Sequence, residues 1–589
     1  MVFLGRQQRG EVICDEKGVR FFRWRILPVE LFALQNMISW IALFFVLVVV
    51  LYPLIVILLD SFQEGGPARV TGYSLKAWRV ALSDPGMTAA VWNTVTLTVA
   101  RQAIAFPIAI LLAWVLARTD MPGARWLEFL FWIAYFLPTL PVAMGWVLLL
   151  DPDYGLLNRL ATKLPFVKQG PFNIYSFWGI VWTHLATNTI AIKVMLLTPV
   201  FRNMDAVLED ASRVSGAGGI KTLCRIVVPV MKPAVLVVLI MSIIQSLQTF
   251  ELELVLGFPI RFYVFSTRIF SLLHDDPPMF ASATALSTII LALMLPLVVL
   301  QRRLTTNRDY AVVSGRFRAQ KAQLHGWKWP VFFAVSFIAL TVTVLPFSVV
   351  TAGTFMKVFG FFDSERPWTL FHWKTVIGDS IFTASLKNTL LLAASAAMAS
   401  VILFTLLGYI IVRTRFVARG LLDLTSWLPS MLPGIILGLG YLSLLLGVEV
   451  LQPLYGTMAA MLVALVINRM TLGVQILKSN FMQISNELEE ASAVSGGSQW
   501  HTLRYVLLPL ATPTMLLVGA VSFIAAARDV STVVLLSTTG TRPLSLLQLD
   551  LLAQGNYEGA AVVGVIVVLL TTGVALVARL GGLRVGIRG

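Results

Sequence analysis

Charged residues are scarce in this sequence. Asp, Glu, Lys and Arg make up only 13% of the 589 residues, whereas 57% are apolar and the mean hydropathy is +0.82. Soluble globular domains carry about 25% charged residues, so the composition excludes an ordinary soluble protein.

Reactive and metal-binding residues are also few. The two cysteines, Cys14 and Cys224, fall on the same side of the predicted topology, so no disulfide is expected. The five histidines lack the spacing of a metal site. No G-x-x-x-x-G-K-[ST] phosphate loop occurs, and we therefore expect the chain to carry no cofactor and to hydrolyse no nucleotide itself.

Long apolar segments are the main feature that is present. Each is long enough to cross about 30 Å of hydrocarbon. The first run follows a charged N-terminal stretch and is too long for the apolar core of a cleavable signal. The pattern predicts an all-α polytopic membrane protein with about twelve transmembrane helices, at 38–60, 89–117, 126–150, 174–197, 229–256, 281–301, 328–352, 383–412, 420–447, 455–477, 509–536 and 559–580.

The net charge of +15 follows this topology and does not indicate nucleic-acid binding. Basic residues cluster in the N-terminal arm, the mid-chain linker, two short loops and the tail, which all fall on one side of a twelve-helix topology. The positive-inside rule makes that side cytoplasmic. We therefore expect a multi-pass protein of the bacterial cytoplasmic (inner) membrane, with both termini cytoplasmic and membrane lipid around it.

The second half of the chain repeats the first. Asn93-Thr94 matches Asn388-Thr389 at an offset of 295 residues, and Asn188 matches Asn468 at 280. Because six helices per repeat is an even number, the repeats enter the membrane in parallel, related by an axis along the membrane normal. The predicted organisation is an N-terminal arm (1–37), a first module (38–301), a basic linker (302–327), a second module (328–580) and a tail (581–589).

One polar loop interrupts the apolar pattern in each repeat. Residues 209–216 return as 489–496, 280 residues later, and a proline follows each terminal glycine after thirteen residues, at Pro229 and Pro509. The residue types favour a short exposed helix that ends at the glycine, where the chain can turn in a left-handed conformation. A polar loop duplicated inside a membrane protein predicts a docking surface.

These loops resemble the E-A-A-x-x-x-G loop of type I ABC-importer permeases. Asp210-Ala211-Ser212 and Glu490-Ala491-Ser492 stand at the E-A-A positions, so both copies depart at the third residue and the first also at the acid. The resemblance implies that each loop docks one copy of an ATPase subunit, which binds ATP and Mg, and that a periplasmic or extracellular solute-binding protein delivers the solute. The residues assigned to docking are Glu209, Asp210, Ala211, Gly216, Glu489, Glu490, Ala491 and Gly496.

Ionisable residues at the outer ends of the fifth and eleventh helices are costly in a membrane and predict a function. Glu251 matches Asp529 at an offset of 278 residues. These acids can line the pathway or gate, or Arg528 can pair with one of them across the interface between the repeats. Asn188 and Asn468 leave a similar choice, between a pathway role and interhelical hydrogen bonding. The pathway or gate candidates are Glu251, Glu253, Arg528, Asp529, Asn188 and Asn468.

Segments 250–269 and 528–545 are similar to fused two-module permeases of the ferric-iron type. This resemblance implies inward transport of a small solute, with ferric iron as the first candidate, since hard cations prefer oxygen ligands such as carboxylates. The alternatives are 2-aminoethylphosphonate, which Arg528 would suit, thiamine or another small solute. A remote alternative is a proton-coupled secondary transporter. The loop 118–125 is similar to one found in that class, but its second copy lacks the Asp and Gly.

Overall fold

The computed structural model describes residues 10–14, 20–24, 29–67, 69–204, 207–306, 321–361 and 367–581. The helices of the first repeat are α1 (Val29–Asp60), α2 (Lys76–Ser83), α3 (Pro85–Arg118), α4 (Ala124–Phe136), α5 (Thr139–Leu150), α6 (Leu156–Thr162), α7 (Phe177–His184), α8 (Ile190–Arg202), α9 (Val207–Val214), α10 (Gly219–Thr222), α11 (Val228–Val230), α12 (Lys232–Leu247), α13 (Phe265–His274) and α14 (Phe280–Thr306). Those of the second are α15 (Lys328–Gly353), α16 (Phe371–Gly378), α17 (Ser380–Arg413), α18 (Arg419–Trp427), α19 (Gly434–Gly447), α20 (Met458–Gln483), α21 (Asn486–Val494), α22 (Gln499–Thr502), α23 (Leu508–Arg528), α24 (Leu544–Ala553) and α25 (Tyr557–Leu580). The strands of the described residues form two antiparallel hairpins, β1 (Gly10–Cys14) with β2 (Arg20–Trp24) and β3 (Gln63–Gly66) with β4 (Arg69–Tyr73).

Within the described residues, nine helices are long and apolar enough to cross a membrane, and four bent helix pairs also qualify. Three of these pairs, α4 with α5, α10–α11 with α12, and α18 with α19, take the places of predicted single spans and bring the count to twelve. The fourth pair joins the segment Glu253–Ile260 to α13. In the described part of the second repeat, the short helix α24 takes the place of α13. We interpret the fourth pair as a re-entrant element. The predicted all-α fold of about twelve spans in two six-helix repeats is confirmed.

The third predicted span of each repeat (126–150 and 420–447) is not a single helix. α4 meets α5 at 105°, and α18 meets α19 at 109°. Leu137 and Leu432 each precede a proline, which disfavours the helical conformation of the residue before it. Both leucines are extended, with ψ of 132° and 107°. The breaks therefore lie at equivalent positions of the two repeats.

The fifth helix of each repeat is shorter than the sequence predicts. α12 ends at Leu247 instead of residue 256, and α23 ends at Arg528 instead of residue 536. Asp529 ends α23, because its backbone is extended and its Oδ1 accepts a hydrogen bond from Thr532 N at 2.8 Å. The polar residues after each helix, which the sequence pattern placed inside the fifth span, therefore lie outside that helix.

The repeated Asn-Thr pairs fix the segment that follows each fifth helix. Thr94 Oγ1 accepts a hydrogen bond from Phe265 N (3.0 Å), and Thr389 Oγ1 accepts one from Leu544 N (2.8 Å). Both contacts tie the second helix of a repeat to the start of α13 or α24. The dipeptide recurs in the sequence because this contact recurs in the fold.

The two repeats interlock through their first helices. α15 packs on α4 and α5 of the first repeat, and α1 packs on α18 and α19 of the second. A glycine permits each close approach: Gly145 faces the backbone of Pro346, and a Cβ on Gly440 would lie 3.1 Å from Pro53. The first helix of each repeat therefore braces the broken third span of the other.

Candidate functional site

The two repeated polar loops, 209–216 and 489–496, are called the signature loops below. In each, a glycine turn joins two short helices, α9 to α10 and α21 to α22. Gly216 and Gly496 have φ of +78° and +82°. In each loop the serine at the third motif position bonds a threonine across the turn: the hydroxyl oxygens of Ser212 and Thr222 lie 2.9 Å apart, and those of Ser492 and Thr502 2.8 Å apart. The departure from alanine at that position thus closes the loop in both repeats.

The loops present repeated apolar side chains to the outside. Val214 and Val494 are 90% and 89% exposed, and Ile220 and Trp500, which also match at the repeat offset, are 72% and 61% exposed. Exposed apolar groups beside polar ones are typical of a protein interface. Five predicted docking residues are likewise exposed, namely Ala211, Gly216, Glu490, Ala491 and Gly496. The side chain of a sixth, Asp210, lies outside the described part of the chain.

The remaining two predicted docking residues, Glu209 and Glu489, face inward as anchors. Arg118, at the end of α3, places Nη2 2.7 Å from Glu209 Oε2, and both side chains are at most 3% exposed. Arg413, at the end of α17, places Nη1 2.7 Å from Glu489 Oε1. Burial keeps Glu209 out of the exposed apolar face of its loop. Instead, each acid fastens its loop to the second helix of its own repeat.

The two anchors differ in strength, and this difference is measurable. We expect Glu209→Gln to destabilise the first loop by about 3 kcal/mol, because Arg118 is then left buried without its carboxylate. Glu489→Gln should cost about 1 kcal/mol or less, since Glu489 is 31% exposed and Arg413 also donates to the carbonyls of Phe481 and Ile484. Hydrogen exchange of residues 207–222 and 487–502 checks this, and equal deprotection of both loops by the two variants would contradict it.

A buried ionic cluster lies in the membrane part of the first repeat. Glu253 Oε1 lies 2.8 Å from His184 Nε2 and 3.9 Å from Arg101 Nη1, and it accepts a hydrogen bond from Thr249 Oγ1 at 2.6 Å. Arg101 Nη2 also donates to Ser246 O at 2.5 Å. The cluster therefore links α3, α7 and the end of α12.

This cluster belongs to one repeat only. Glu253 was predicted to be functional, but Arg101 and His184 were missed. The signal for them was an isolated ionisable residue inside a long apolar run, such as Arg101 within the span Pro85–Arg118. The positions of the second repeat equivalent to Arg101, His184 and Glu253 are Ala396, Ala464 and Val533.

A cavity of about 170 Å³ lies beside the cluster. Eight of its nine lining residues come from the first repeat. Of the predicted pathway residues, Glu251 and Asn188 line it, whereas Glu253 lies behind it. The lining residues are Thr139, His184, Asn188, Gln248, Thr249, Phe250, Glu251, Leu252 and Ser531.

Arg528 crosses the interface between the repeats, as one alternative expected, but its bonding partners are carbonyls. Its Nη1 donates to Tyr135 O and Leu137 O, each at 3.2 Å, at the break of the other repeat's third span. Gln248, its equivalent in the first repeat, donates to Ser430 O at 2.7 Å, again at a third-span break. Hydrogen bonds at two equivalent positions therefore join the repeats.

Asp529 and Asn468 form a local network. Asn468 Nδ2 donates to Thr532 Oγ1 at 2.9 Å, and Thr532 Oγ1 donates to Asp529 Oδ2 at 3.1 Å, so Asn468 joins α20 to the turn that follows α23. Ser545 Oγ donates to Asp529 O, and Ser266 Oγ donates to Thr249 O, both at 2.6 Å. Thr249, and not Glu251, is therefore the structural counterpart of Asp529.

No group of three or more His, Cys, Asp or Glu side chains could hold a metal ion in the described residues. Glu251 is the one carboxylate among the residues that line the cavity.

Comparison with known proteins gives matches in both halves of the chain. A family model described as "Binding-protein-dependent transport system inner membrane component" matches residues 105–310 and 405–585. A ferric transport system permease protein of Actinobacillus pleuropneumoniae is 26% identical over 74% of this chain, and the match spans 63% of that protein, less than two thirds of its length.

Two further relatives carry different descriptions, and only one of these names a transported solute. A protein of Sinorhizobium fredii described as a probable ABC transporter permease is 24% identical over 82% of this chain and 85% of its own length. A sulfoquinovosyl glycerol transport system permease protein of Agrobacterium fabrum is 27% identical over 42% of this chain and 80% of its own length. The relatives share a type of protein and not a solute.

Proposed function

This chain belongs to the family of binding-protein-dependent transport system inner membrane components, and we propose that it is the permease subunit of an ABC importer that moves ferric iron inward. Two copies of a separate ATPase subunit bind ATP and Mg and supply the energy. A solute-binding protein delivers the solute from outside. The observation that carries the proposal is the pair of exposed, structurally matched loops, each anchored to the second helix of its repeat.

The contacts support a mechanical route from the first loop to the cavity. The Arg118–Glu209 pair joins the loop to α3. The part of α3 between Arg118 and Arg101 is about 25 Å long, at 1.5 Å per residue. Arg101 contacts Glu253, which Thr249 joins to the cavity wall. A displacement of the loop by the ATPase subunit would therefore move α3 and the cavity wall together.

Alternating access fits the way in which the repeats contact each other. Arg528 and Gln248 donate hydrogen bonds to backbone carbonyls at the breaks of the third spans. Such bonds can exchange partners as the repeats move relative to each other. The interlocked first helices keep each repeat attached to the other during this motion. We place the loops, the linker and both termini on the cytoplasmic side of the bacterial inner membrane, because the basic residues gather there.

The volume and lining of the cavity favour a small solute. A volume of about 170 Å³ is below the roughly 300–1,000 Å³ of pockets that hold drug-sized ligands, and it is therefore too small for an oligosaccharide. Glu251 supplies an oxygen ligand that a hard cation prefers. Arg528 donates to two carbonyls, which makes it less suited to an anionic solute than the sequence suggested.

Reconstituted transport tests the proposal. The chain, its ATPase subunit and its binding protein are placed in liposomes, and uptake of radioactive ferric iron, 2-aminoethylphosphonate and thiamine is measured. We expect ATP-dependent uptake of iron that a protonophore does not inhibit, and we expect Glu251→Gln to lower it by about tenfold because the variant removes the carboxylate that the ion meets. ATP-driven uptake of another solute would overturn the choice of iron only. Uptake driven by a proton gradient without ATP would overturn the importer and favour a secondary transporter.

A further inference from the structure

The end of the linker is fastened to the first repeat. Ala322 N donates to Arg118 O at 2.7 Å, and Asp120 N donates to Ala322 O at 3.0 Å. The Asp120 carboxylate accepts a hydrogen bond from Leu324 N at 2.9 Å and pairs with Lys328 Nζ at 2.6 Å. The bond from Lys328 holds the pKa of Asp120 below its usual range. We call residues 321–325 the linker strap.

The linker strap and the first signature loop enclose a cavity of about 510 Å³. One wall comes from α3 and the loop, and the other wall comes from the strap. The residues that line it are Trp114, Glu209, Ala217, Gly219, Thr222, Lys321, Ala322, Gln323 and His325.

The cavity is rich in hydrogen-bond donors. Lys321, Gln323 and His325 are exposed on the strap side. Only 6% of Trp114 is exposed, and its indole N–H has no hydrogen-bond acceptor among the described residues. The carboxylate of the wall, Glu209, is held by Arg118. A ligand with carboxylate groups would accept hydrogen bonds from the exposed strap side chains and complement the charge of Lys321.

The second loop lacks this feature in the described part of the chain. Arg415 stands where the first repeat has Asp120, so the acceptor that fastens the strap is missing. Tyr409 replaces Trp114 and packs edge-on against Phe481. The two docking loops therefore have the same exposed apolar face, but the residues next to that face differ.

We propose that the linker strap extends the first docking loop into a composite site that binds an acidic segment of the ATPase subunit, which makes the two docking sites inequivalent. The inference rests on the proposed function, since it needs an ATPase subunit at the loop. In the sequence, Val214 and Ile220 flank Ala217 and Gly219, which line the cavity, so the exposed apolar face adjoins the cavity.

Cross-linking at each loop separately tests the inference. Val214→Cys or Val494→Cys, in a background with Cys14→Ser and Cys224→Ser, carries a benzophenone label in nanodiscs, and ATPase subunit is titrated in. We expect Lys321→Glu and Asp120→Ala each to raise the concentration for half-maximal cross-linking about fivefold at position 214, with no change at 494. Arg415→Ala, the matched control in the second repeat, should change neither.

The other outcomes are distinguishable. Equal titrations at position 214 in all variants overturn the composite site while leaving the importer intact. If neither label of the unaltered chain reaches the ATPase subunit, the proposed function itself fails. If the Lys321→Glu effect occurs only in nanodiscs with anionic phosphatidylglycerol and vanishes in phosphatidylcholine, the cavity binds a lipid headgroup, and the proposal of an acidic protein segment is overturned.

Discussion

Replacing Gly216 and Gly496 together with valine is expected to abolish ATP-driven uptake while the protein still inserts into the membrane. Both glycines have positive φ, which an L-residue adopts at a cost of about 1–2 kcal/mol and a β-branched residue at more. A cost of about 2 kcal/mol in each loop lowers the fraction of correctly shaped loops roughly thirtyfold. Uptake and retention of the ATPase subunit during purification measure the loss.

Asparagine at the same two positions is the matched control. Nothing lies within 4 Å of a Cβ placed on either glycine, so a side chain meets no obstacle in the chain itself. Asparagine tolerates the left-handed region, and we therefore expect the Gly216→Asn and Gly496→Asn double variant to keep most of its uptake. If asparagine fails as completely as valine, backbone strain is not the cause, and direct contact with the partner excludes any side chain. If valine leaves uptake unchanged, the docking role of the loops is contradicted.

The topology could be predicted from the sequence because apolar runs and repeat offsets are one-dimensional signals. The twelve spans, the parallel repeats and the two loops all follow from the spacing of apolar and polar residues. The breaks after Leu137 and Leu432 also had a local signal, a proline after each residue, but the apolar runs continue through them. A hydropathy pattern does not register a bend that leaves composition unchanged.

The contacts of the site could not be predicted in the same way. Glu209 and Glu489 match at the repeat offset and looked like equal docking residues, yet the structure turns both toward arginines at the ends of α3 and α17. The partners are distant in sequence, 91 residues apart in the case of Arg118 and Glu209. Likewise, Glu251 and Asp529 aligned by residue type, whereas the backbone contacts align Thr249 with Asp529. Residue type is a poor guide to register where the two repeats differ in length.

The buried ionic cluster gives the second large expected effect. Arg101→Met should destabilise the protein by about 3–5 kcal/mol, because Glu253, which has no exposed surface, loses the guanidinium that compensates its charge. Thermal unfolding in detergent and the yield of folded protein measure this. The combined variant Arg101→Met, His184→Leu and Glu253→Met should recover the stability, since apolar residues of similar volume replace a buried ionic group at little cost.

The second repeat is the reason to expect this recovery. Its equivalent helices, α17, α20 and α23, pack together with Ala396, Ala464 and Val533 at the equivalent positions, so a repeat can fold without these charges. His184 lines the cavity, and we therefore expect the stable combined variant to have lost uptake by at least about tenfold, while ATPase binding at both loops is unchanged. Stability recovered together with normal uptake would make the cluster a packing feature only. A combined variant as unstable as Arg101→Met would show that the first repeat, unlike the second, needs these charges to fold.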